Sequence, residues 1–168
     1  TDALDDVCSH GHIILQVNDT VISNEDDGEW NINESALTLM RTVKYGFPTK
    51  KPPRYYTKGF NEETIIKCCG AYMMFCPSNI SWNVEHHEGN VRLSKFIKNE
   101  HLEYEDLQIT ISLRKYAAEI YEFAREAYTL FEGNDIDYKA WEVFEGQYIE
   151  FWKEYEELLD FIKEIVDQ

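Results

Sequence analysis

The fold of this chain is decided by residues 137–168, which read DYKAWEVFEGQYIEFWKEYEELLDFIKEIVDQ. Large apolar side chains recur in this stretch three or four residues apart, a spacing that places them along one side of an α-helix. Most of the other positions are carboxylates. We therefore predict a helix over 138–166, with Asp137 as its N-cap, a negative outer side and a covered apolar side. The predicted apolar stripe consists of Trp141, Phe144, Tyr148, Trp152, Tyr155, Leu159, Ile162 and Val166.

A second long helix is predicted immediately before it, over 112–132. Ser112 is a favourable N-cap residue, and Gly133 is a favourable stop. Consecutive amphipathic helices joined by a short link form an antiparallel pair, so we expect 112–168 to be an acidic helical pair. The inner stripe of the first of these helices contains Leu113, Ala117, Ile120, Ala124, Ala127 and Phe131.

The preceding part of the chain, 1–111, is predicted to be rich in strands. A helix over 34–45 is expected there, with Asn33 as its N-cap and Gly46 as its stop. The fold class is therefore α+β: a single domain, 1–168, with a mainly antiparallel sheet of five or six strands packed against three helices, the two longest C-terminal. The predicted strands lie within 12–23, 64–75, 80–97 and 107–111, where β-branched or alternating apolar residues occur.

The charge of the chain is strongly negative and unevenly distributed. Its 168 residues carry 32 carboxylates and 16 basic side chains, for a net charge of -16. Residues 100–168 hold 19 of the acids and only 6 of the bases. This balance argues against binding to nucleic acid and favours a basic partner. No apolar run approaches the length of a membrane span, and we expect a cytoplasmic protein.

One segment has the opposite charge. Residues 41–58, here called the basic segment, contain six basic side chains and no acidic one. Its three prolines all lie after Tyr45, so no regular element runs through 45–60, whereas Arg41 and Lys44 fall in the predicted helix 34–45. It is interpreted in two ways: as a site for a phosphate or an acidic partner loop, or as a patch docked on the acidic helices of the same chain. The candidate anion-binding residues are Arg41, Lys50, Lys51, Arg54 and Lys58.

The cysteines and histidines offer weak candidates for chemistry. Cys8, His12, Cys69 and Cys76 are of the types that bind zinc, but no Cys-x-x-Cys knuckle is present, so ordinary buried thiols are the alternative and no cofactor is expected. Cys76 with the following histidines has the residue types of a Cys–His nucleophile without a spacing that brings them together. No phosphate-binding loop or catalytic motif occurs, so no catalytic residue is predicted.

The acidic helices are the candidate binding surface. Tyrosine rings supply contact area and carboxylates steer a cationic partner, so their combination is suited to protein binding. A solvated surface that keeps the protein in solution is the alternative interpretation. Tyr116 is also expected to be exposed on this surface. The candidate partner-binding residues are Tyr121, Tyr128, Glu142, Glu145, Glu150, Phe151, Glu154 and Glu157.

Three groups of motifs carry a resemblance. They are GEWNIN at 28–33 followed by ALTLMRT at 36–42, CCG at 68–70, and CPSNISWNV at 76–84. Over about 8–155 they resemble a group of small uncharacterised bacterial proteins that share a Trp-Asn-Ile helix opening, a Cys-Cys-Gly strand end and a Cys-Pro turn. The resemblance implies a single-domain bacterial protein and implies no activity. In its general character the chain also resembles bacterial toxin-immunity proteins, which are small, acidic and without catalytic motifs.

We therefore predict an acidic protein-binding module, an immunity or inhibitor protein that neutralises a basic bacterial toxin by covering its active surface. The alternative is a small ligand-binding domain or enzyme that uses Cys69, Cys76 and the basic segment. A structural zinc ion would accompany that alternative.

Overall fold

The computed structural model describes residues 9–55, 64–68, 76–130 and 147–168, without the side chains of Gln147 and Tyr148. Within these ranges the chain has mainly antiparallel strands and three α-helices, the two longest C-terminal, which confirms the predicted α+β fold. The strands are β1 (His10–Gly11), β2 (Leu15–Val17), β3 (Thr20–Ser23), β4 (Trp30–Asn31), β5 (Ile66–Lys67), β6 (Asn79–His87), β7 (Asn90–Lys98), β8 (Leu102–Glu103) and β9 (Ile109–Ser112). The helices are α1 (Ile32–Tyr45), α2 (Leu113–Thr129) and α3 (Gln147–Val166).

The main sheet is built on the antiparallel hairpin β6–β7. β5 pairs with the other edge of β6, while β8 and β9 pair with opposite ends of β7. Ile80, Trp82 and Val84 of β6 are buried, as the alternation of apolar and polar residues predicts for a strand with one covered face. The covered face packs against the helices, so the core lies between the sheet and the helical layer.

Two smaller ladders flank the main sheet. β1 pairs with β4, and β2 pairs with β3 as a tight hairpin. The β2–β3 hairpin is joined to the main sheet through Ile22, whose carbonyl oxygen accepts a hydrogen bond of 2.9 Å from Nζ of Lys98. The same ammonium group forms an ion pair with Asp27, and the Tyr104 hydroxyl lies 3.5 Å from the Ile22 oxygen.

The first helix begins two residues before the predicted position. Its N-cap is Asn31, whose Oδ1 accepts a hydrogen bond of 3.1 Å from the backbone N–H of Glu34. The prediction that Asn33 is the cap is therefore wrong; the Asn33 side chain instead accepts the backbone N–H of Ser9 at 3.2 Å. Every residue of α1 from Ile32 to Val43 is buried, so this helix is central to the molecule.

The helix α1 ends at Gly46, as predicted. Gly46 has a φ angle of 72°, in the left-handed region that favours glycine, and its N–H donates to the Thr42 oxygen at 2.9 Å. The next residue, Phe47, exchanges two backbone hydrogen bonds with Val84 of β6, at 3.0 and 2.8 Å. The end of α1 is thereby attached directly to the main sheet.

The two long helices form the predicted antiparallel pair. Ser112 caps α2, accepting the Lys115 N–H at 3.2 Å. At the start of α2, Nε of Arg114 donates to the Val166 oxygen at the end of α3, 3.0 Å away. Further along, the Tyr155 hydroxyl donates to the backbone oxygen of Ala124 at 2.6 Å, and burial raises the pKa of Tyr155. Alanines at 117, 124 and 127 are buried and allow this close approach.

Several predicted boundaries differ from the observed ones. Between the predicted strands at 80–97 and 107–111 lies the short strand β8, and between the predicted strands at 12–23 and the helix α1 lies a short 3₁₀ helix, Glu25–Asp27. The predicted strand residues 69–75, the predicted helical residues 131–132 and 138–146, and the predicted helix ends Gly133 and Asp137 lie outside the described residues. In the parts of the chain that are described, no helix combines the length and the apolar character needed to cross a membrane.

Candidate protein-binding surface

The basic segment folds back against α3 through a buried ion pair. Arg41 projects from α1, and its side chain is only 2% exposed. One guanidinium nitrogen, Nη1, donates to Oε1 of Glu154 on α3, and Nη2 donates to the backbone oxygen of Lys51. Glu154 is itself buried. A buried charge of this kind is stable only when it is paired and hydrogen-bonded, so Arg41 and Glu154 hold α1 and α3 in register.

Arg54 makes the second attachment of the basic segment. Its backbone N–H donates to Oε2 of Glu154 at 2.8 Å, so both oxygens of that carboxylate are used internally. Its guanidinium binds both oxygens of Glu157, one of them at 2.9 Å. This bidentate contact raises the pKa of Arg54 and lowers the pKa of Glu157.

Two lysines of the basic segment lie over aromatic rings. Nζ of Lys44 is 4.9 Å from the centre of the Phe161 ring on α3, and Nζ of Lys51 is 4.6 Å from the centre of the Tyr45 ring. These are distances at which a cation is attracted to the negative face of a ring. Lys50 is exposed, and Lys58 lies outside the described residues.

The interpretation of the basic segment as an external anion site does not fit buried Arg41, and for the exposed residues Lys50, Lys51 and Arg54 it stays a prediction. Arg41 is buried with a carboxylate partner, and Arg54 is paired with Glu157. The alternative interpretation, docking on the acidic helix of the same chain, describes both residues. Lys50 and Lys51 remain at the surface.

Three residues expected to be exposed on the binding surface are buried instead. Phe151 is 2% exposed and packs edge-on against Tyr55 of the basic segment, with ring centres 5.0 Å apart. Glu154 is enclosed by its contacts with Arg41 and Arg54. Tyr116 is on the buried side of α2, where its hydroxyl oxygen is 2.7 Å from Oγ1 of Thr42 on α1. The turns of α3 that hold Phe151 and Glu154 face α1 and the basic segment, which removes these residues from any external contact.

The other predicted partner-binding residues lie near the surface or outside the described part. Tyr121 and Tyr128 are half-buried on α2. Glu150 is half-buried and accepts a hydrogen bond of 2.9 Å from Lys153. Glu157 is exposed, in its contact with Arg54. Glu142 and Glu145 lie outside the described residues.

Four exposed carboxylates that were not among the predicted binding residues line the outer side of α3. They are Glu156, Asp160, Glu164 and Asp167, three or four residues apart. That spacing was visible in the sequence, and places them together on the side opposite the buried Phe151, Tyr155, Leu158 and Ile162. We call these four residues the outer α3 stripe.

A pair of side chains connects the outer α3 stripe to α2. The Tyr128 hydroxyl donates to Oε1 of Glu156 at 2.8 Å, across the seam between the two helices. The Tyr128 ring stacks on Tyr155 and meets Trp152 edge-on, with ring centres 5.8 Å apart in both cases. The ring is therefore held in one orientation with its polar end at the surface.

The acidic surplus belongs to α3 and not to α2. Within α2 three carboxylates are balanced by three basic side chains, whereas α3 carries six carboxylates and two lysines, and Asp167 follows directly after it. Of the two described helices of the predicted acidic pair, only α3 therefore carries an acidic excess; the rest of the excess over 112–168 lies in residues 130–146 and in Asp167. An approaching cation would be attracted more strongly to α3 than to α2.

The predicted metal-binding residues do not assemble in the described part of the chain. There, no group of three or more ligating side chains is close enough to hold a metal ion. His12 is exposed, with Nδ1 2.9 Å from the Gly28 oxygen, and Cys76 is half-buried. Cys8 and Cys69 lie outside the described residues. The zinc ion of the alternative interpretation and the expected absence of a cofactor both stay predictions.

No protein-family model matches the chain, and neither a curated protein nor a solved structure is significantly similar to it. Its function therefore has to be inferred from its own residues.

Proposed function

We propose that this protein is an acidic protein-binding module, an immunity or inhibitor protein that neutralises a basic bacterial toxin by covering the toxin's active surface. The proposed contact surface is the outer α3 stripe together with the α2–α3 seam. We place its action in the bacterial cytoplasm as part of the same proposal.

The observation that carries the proposal is that the outer α3 stripe is exposed and does not take part in the internal ion pairs of α3 with the basic segment. Arg41 and Arg54 engage Glu154 and Glu157 and leave the stripe untouched. Of the two lysines of α3, Lys153 pairs with Glu150 one turn before Glu156, and Lys163 lies beside the stripe carboxylates. Four carboxylates on one side of a well-packed helix form a rigid negative surface that attracts a cationic protein from a distance.

Tyr121 and Tyr128 supply the aromatic contact area that a protein interface needs in addition to charge. They lie seven residues apart on α2, hence on the same side of that helix, and both are half-buried. Tyr128 is already oriented by Glu156 and by its ring contacts. An aromatic side chain that is rigid before binding loses little conformational entropy when a partner covers it.

The distribution of charge also decides how binding should respond to salt. The whole chain carries a net charge of -16, so a basic partner would be steered towards it over roughly one screening length, about 10 Å at 0.1 M salt. Steering of this kind raises the association rate at low salt and is lost at high salt.

The proposal is tested with a purified basic toxin domain encoded next to the gene for this protein. We expect a stoichiometric amount of the protein to abolish the toxin's activity, and the association rate to fall as salt rises from about 50 to 500 mM. Uninhibited toxin activity would exclude the immunity role. Inhibition with a salt-independent association rate would exclude the outer α3 stripe as the surface that steers binding.

A further inference from the structure

We propose that a cavity between the β2–β3 hairpin, the main sheet and α2 is a binding site for an uncharged, apolar small molecule. The cavity has a volume of about 580 Å³. Pockets that hold small ligands measure roughly 300–1,000 Å³ and are mainly apolar, so both its size and its walls are suitable. The site is separate from the acidic surface on α3.

The floor of the cavity is formed by the core. Trp82 and Leu93 from the sheet, Leu39 from α1 and Ile120 from α2 all line it, and each is less than one-tenth exposed. Fourteen of the eighteen described lining residues are hydrophobic. A ligand inside would therefore contact carbon on several sides, which favours an apolar molecule.

The mouth of the cavity exposes an apolar side chain to water. Ile14, on the hairpin side, is 70% exposed and borders the cavity. Ile109 and Ile111 of β9 line another wall and are half-buried. Apolar surface that continues from a cavity to its opening lets a hydrophobic molecule enter without passing a polar barrier.

The polar groups around the cavity select against a charged ligand. The only ionisable side chains among its described lining residues, apart from Tyr116, are Lys115 and Glu119, which are exposed at the edge and opposite in charge. The Tyr116 hydroxyl lies 2.7 Å from Thr42 Oγ1, and burial raises the pKa of Tyr116 to about 12 despite its hydrogen bonds. A charge placed inside would lose its hydration without gaining a partner, so an uncharged molecule is the class that fits.

The test uses N-phenyl-1-naphthylamine, an uncharged fluorescent probe, and its sulfonated analogue 1-anilinonaphthalene-8-sulfonate. We expect the uncharged probe to bind saturably at about one equivalent and at least about tenfold more tightly than the sulfonate. On binding, the indole N–H resonance of Trp82 should shift in an NMR spectrum. No saturable binding, or tighter binding of the sulfonate, would overturn the proposal.

Matched substitutions identify where the probe binds. Ile111→Phe places a larger side chain in the cavity wall and should weaken binding about tenfold or more, because the added ring occupies the ligand's space. Ile97→Phe, on β7 and outside the cavity lining, should leave binding unchanged. Ile109→Phe replaces Ile111→Phe if circular dichroism shows that the latter variant is unfolded.

Two further outcomes contradict the assignment. Equal weakening by Ile97→Phe and by the cavity variants would show that the probe binds elsewhere, as would an unmoved Trp82 resonance. A dimer in sedimentation that Ile111→Phe dissociates would show instead that a second copy of the chain covers this face.

Discussion

At Arg41 a full positive charge is withdrawn from water, a change that costs several kcal/mol unless other groups replace the lost hydration. The carboxylate of Glu154 and the carbonyl oxygen of Lys51 do so. Because Glu154 also accepts the backbone N–H of Arg54, one carboxylate joins α1, α3 and the basic segment.

Substitution of Glu154 should therefore be strongly destabilising. Glu154→Gln removes the carboxylate that pairs with the buried charge of Arg41, and we expect a loss of about 3–5 kcal/mol in the free energy of unfolding. Urea denaturation followed by circular dichroism measures this loss.

The matched control is Glu157→Gln, which removes the exposed partner of Arg54. Exposed ion pairs contribute little to stability, so its denaturation midpoint should stay close to that of the unsubstituted protein. Similar midpoints for the two variants would contradict the distinction between the buried and the exposed pair.

For individual residues, the sequence predicted where basic and acidic side chains are concentrated, but not which of them pair with each other. The segregation of basic and acidic residues was visible, and docking of one on the other was one of the two interpretations. The pairing itself joins residues 113 positions apart, and local spacing carries no information about such a contact. The wrong prediction of the N-cap of α1 has another cause. Asn31 and Asn33 are both favourable capping residues, so the residue type alone does not distinguish them.

Among the elements, α1 differs most from its expected character. Its sequence contains Asn, Glu, Ser, Thr and Arg, which is typical of a helix with one face in water. Instead it is buried from Ile32 to Val43, because the sheet, α2, α3 and the basic segment surround it. Its polar side chains are accommodated by specific partners, as where Ser35 Oγ accepts the Lys67 N–H at 3.2 Å.

The end of α1 provides a prediction at the scale of the element. A Cβ atom added at Gly46 would lie 2.7 Å from the Val84 carbonyl oxygen, in a backbone conformation that L-residues avoid. Gly46 has φ 72° and ψ -173°, a combination that is essentially restricted to glycine. Gly46→Ala should therefore destabilise the fold by this strain, about 1–3 kcal/mol, plus roughly 1–3 kcal/mol for displacing β6 from the helix end.

Gly89→Ala is the control for that experiment. Gly89 has a φ angle of 79° in the β6–β7 turn, and nothing lies within 4 Å of an added Cβ atom. The free energy of unfolding of Gly89→Ala should therefore fall only by the cost of the strained backbone, measured by the same thermal or urea denaturation. Equal losses for the two variants would mean that the contact between Gly46 and Val84 does not restrain the helix end.

The α2–α3 pair was the most predictable part of the architecture. The 3.6-residue periodicity, the Ser112 cap and the buried alanines are local features, and local features determine where an amphipathic helix forms and which face it buries. Which residues at the edge of that face become enclosed depends on what packs there. This is why Phe151, predicted to be exposed, is buried under the basic segment.

For the whole molecule, the decisive feature is how a large negative charge is divided. Part of it stabilises the fold, through Glu154 and Glu157 against the basic segment. Other carboxylates remain exposed, among them the outer α3 stripe and the acidic residues at 100–106. Composition predicted the surplus, but only the packing separates the carboxylates used internally from those that stay exposed.

The most direct test of the proposed function is the dissociation constant for a basic toxin domain encoded next to the gene for this protein, measured after matched reversals of charge. Glu156→Lys with Asp160→Lys alters the outer α3 stripe, and Glu103→Lys with Glu105→Lys makes the same change in charge at exposed positions away from it. We predict that the first pair raises the dissociation constant about tenfold or more at low salt and that the second changes it much less. Equal effects of the two pairs, or no effect of either, would contradict the outer α3 stripe as the binding surface.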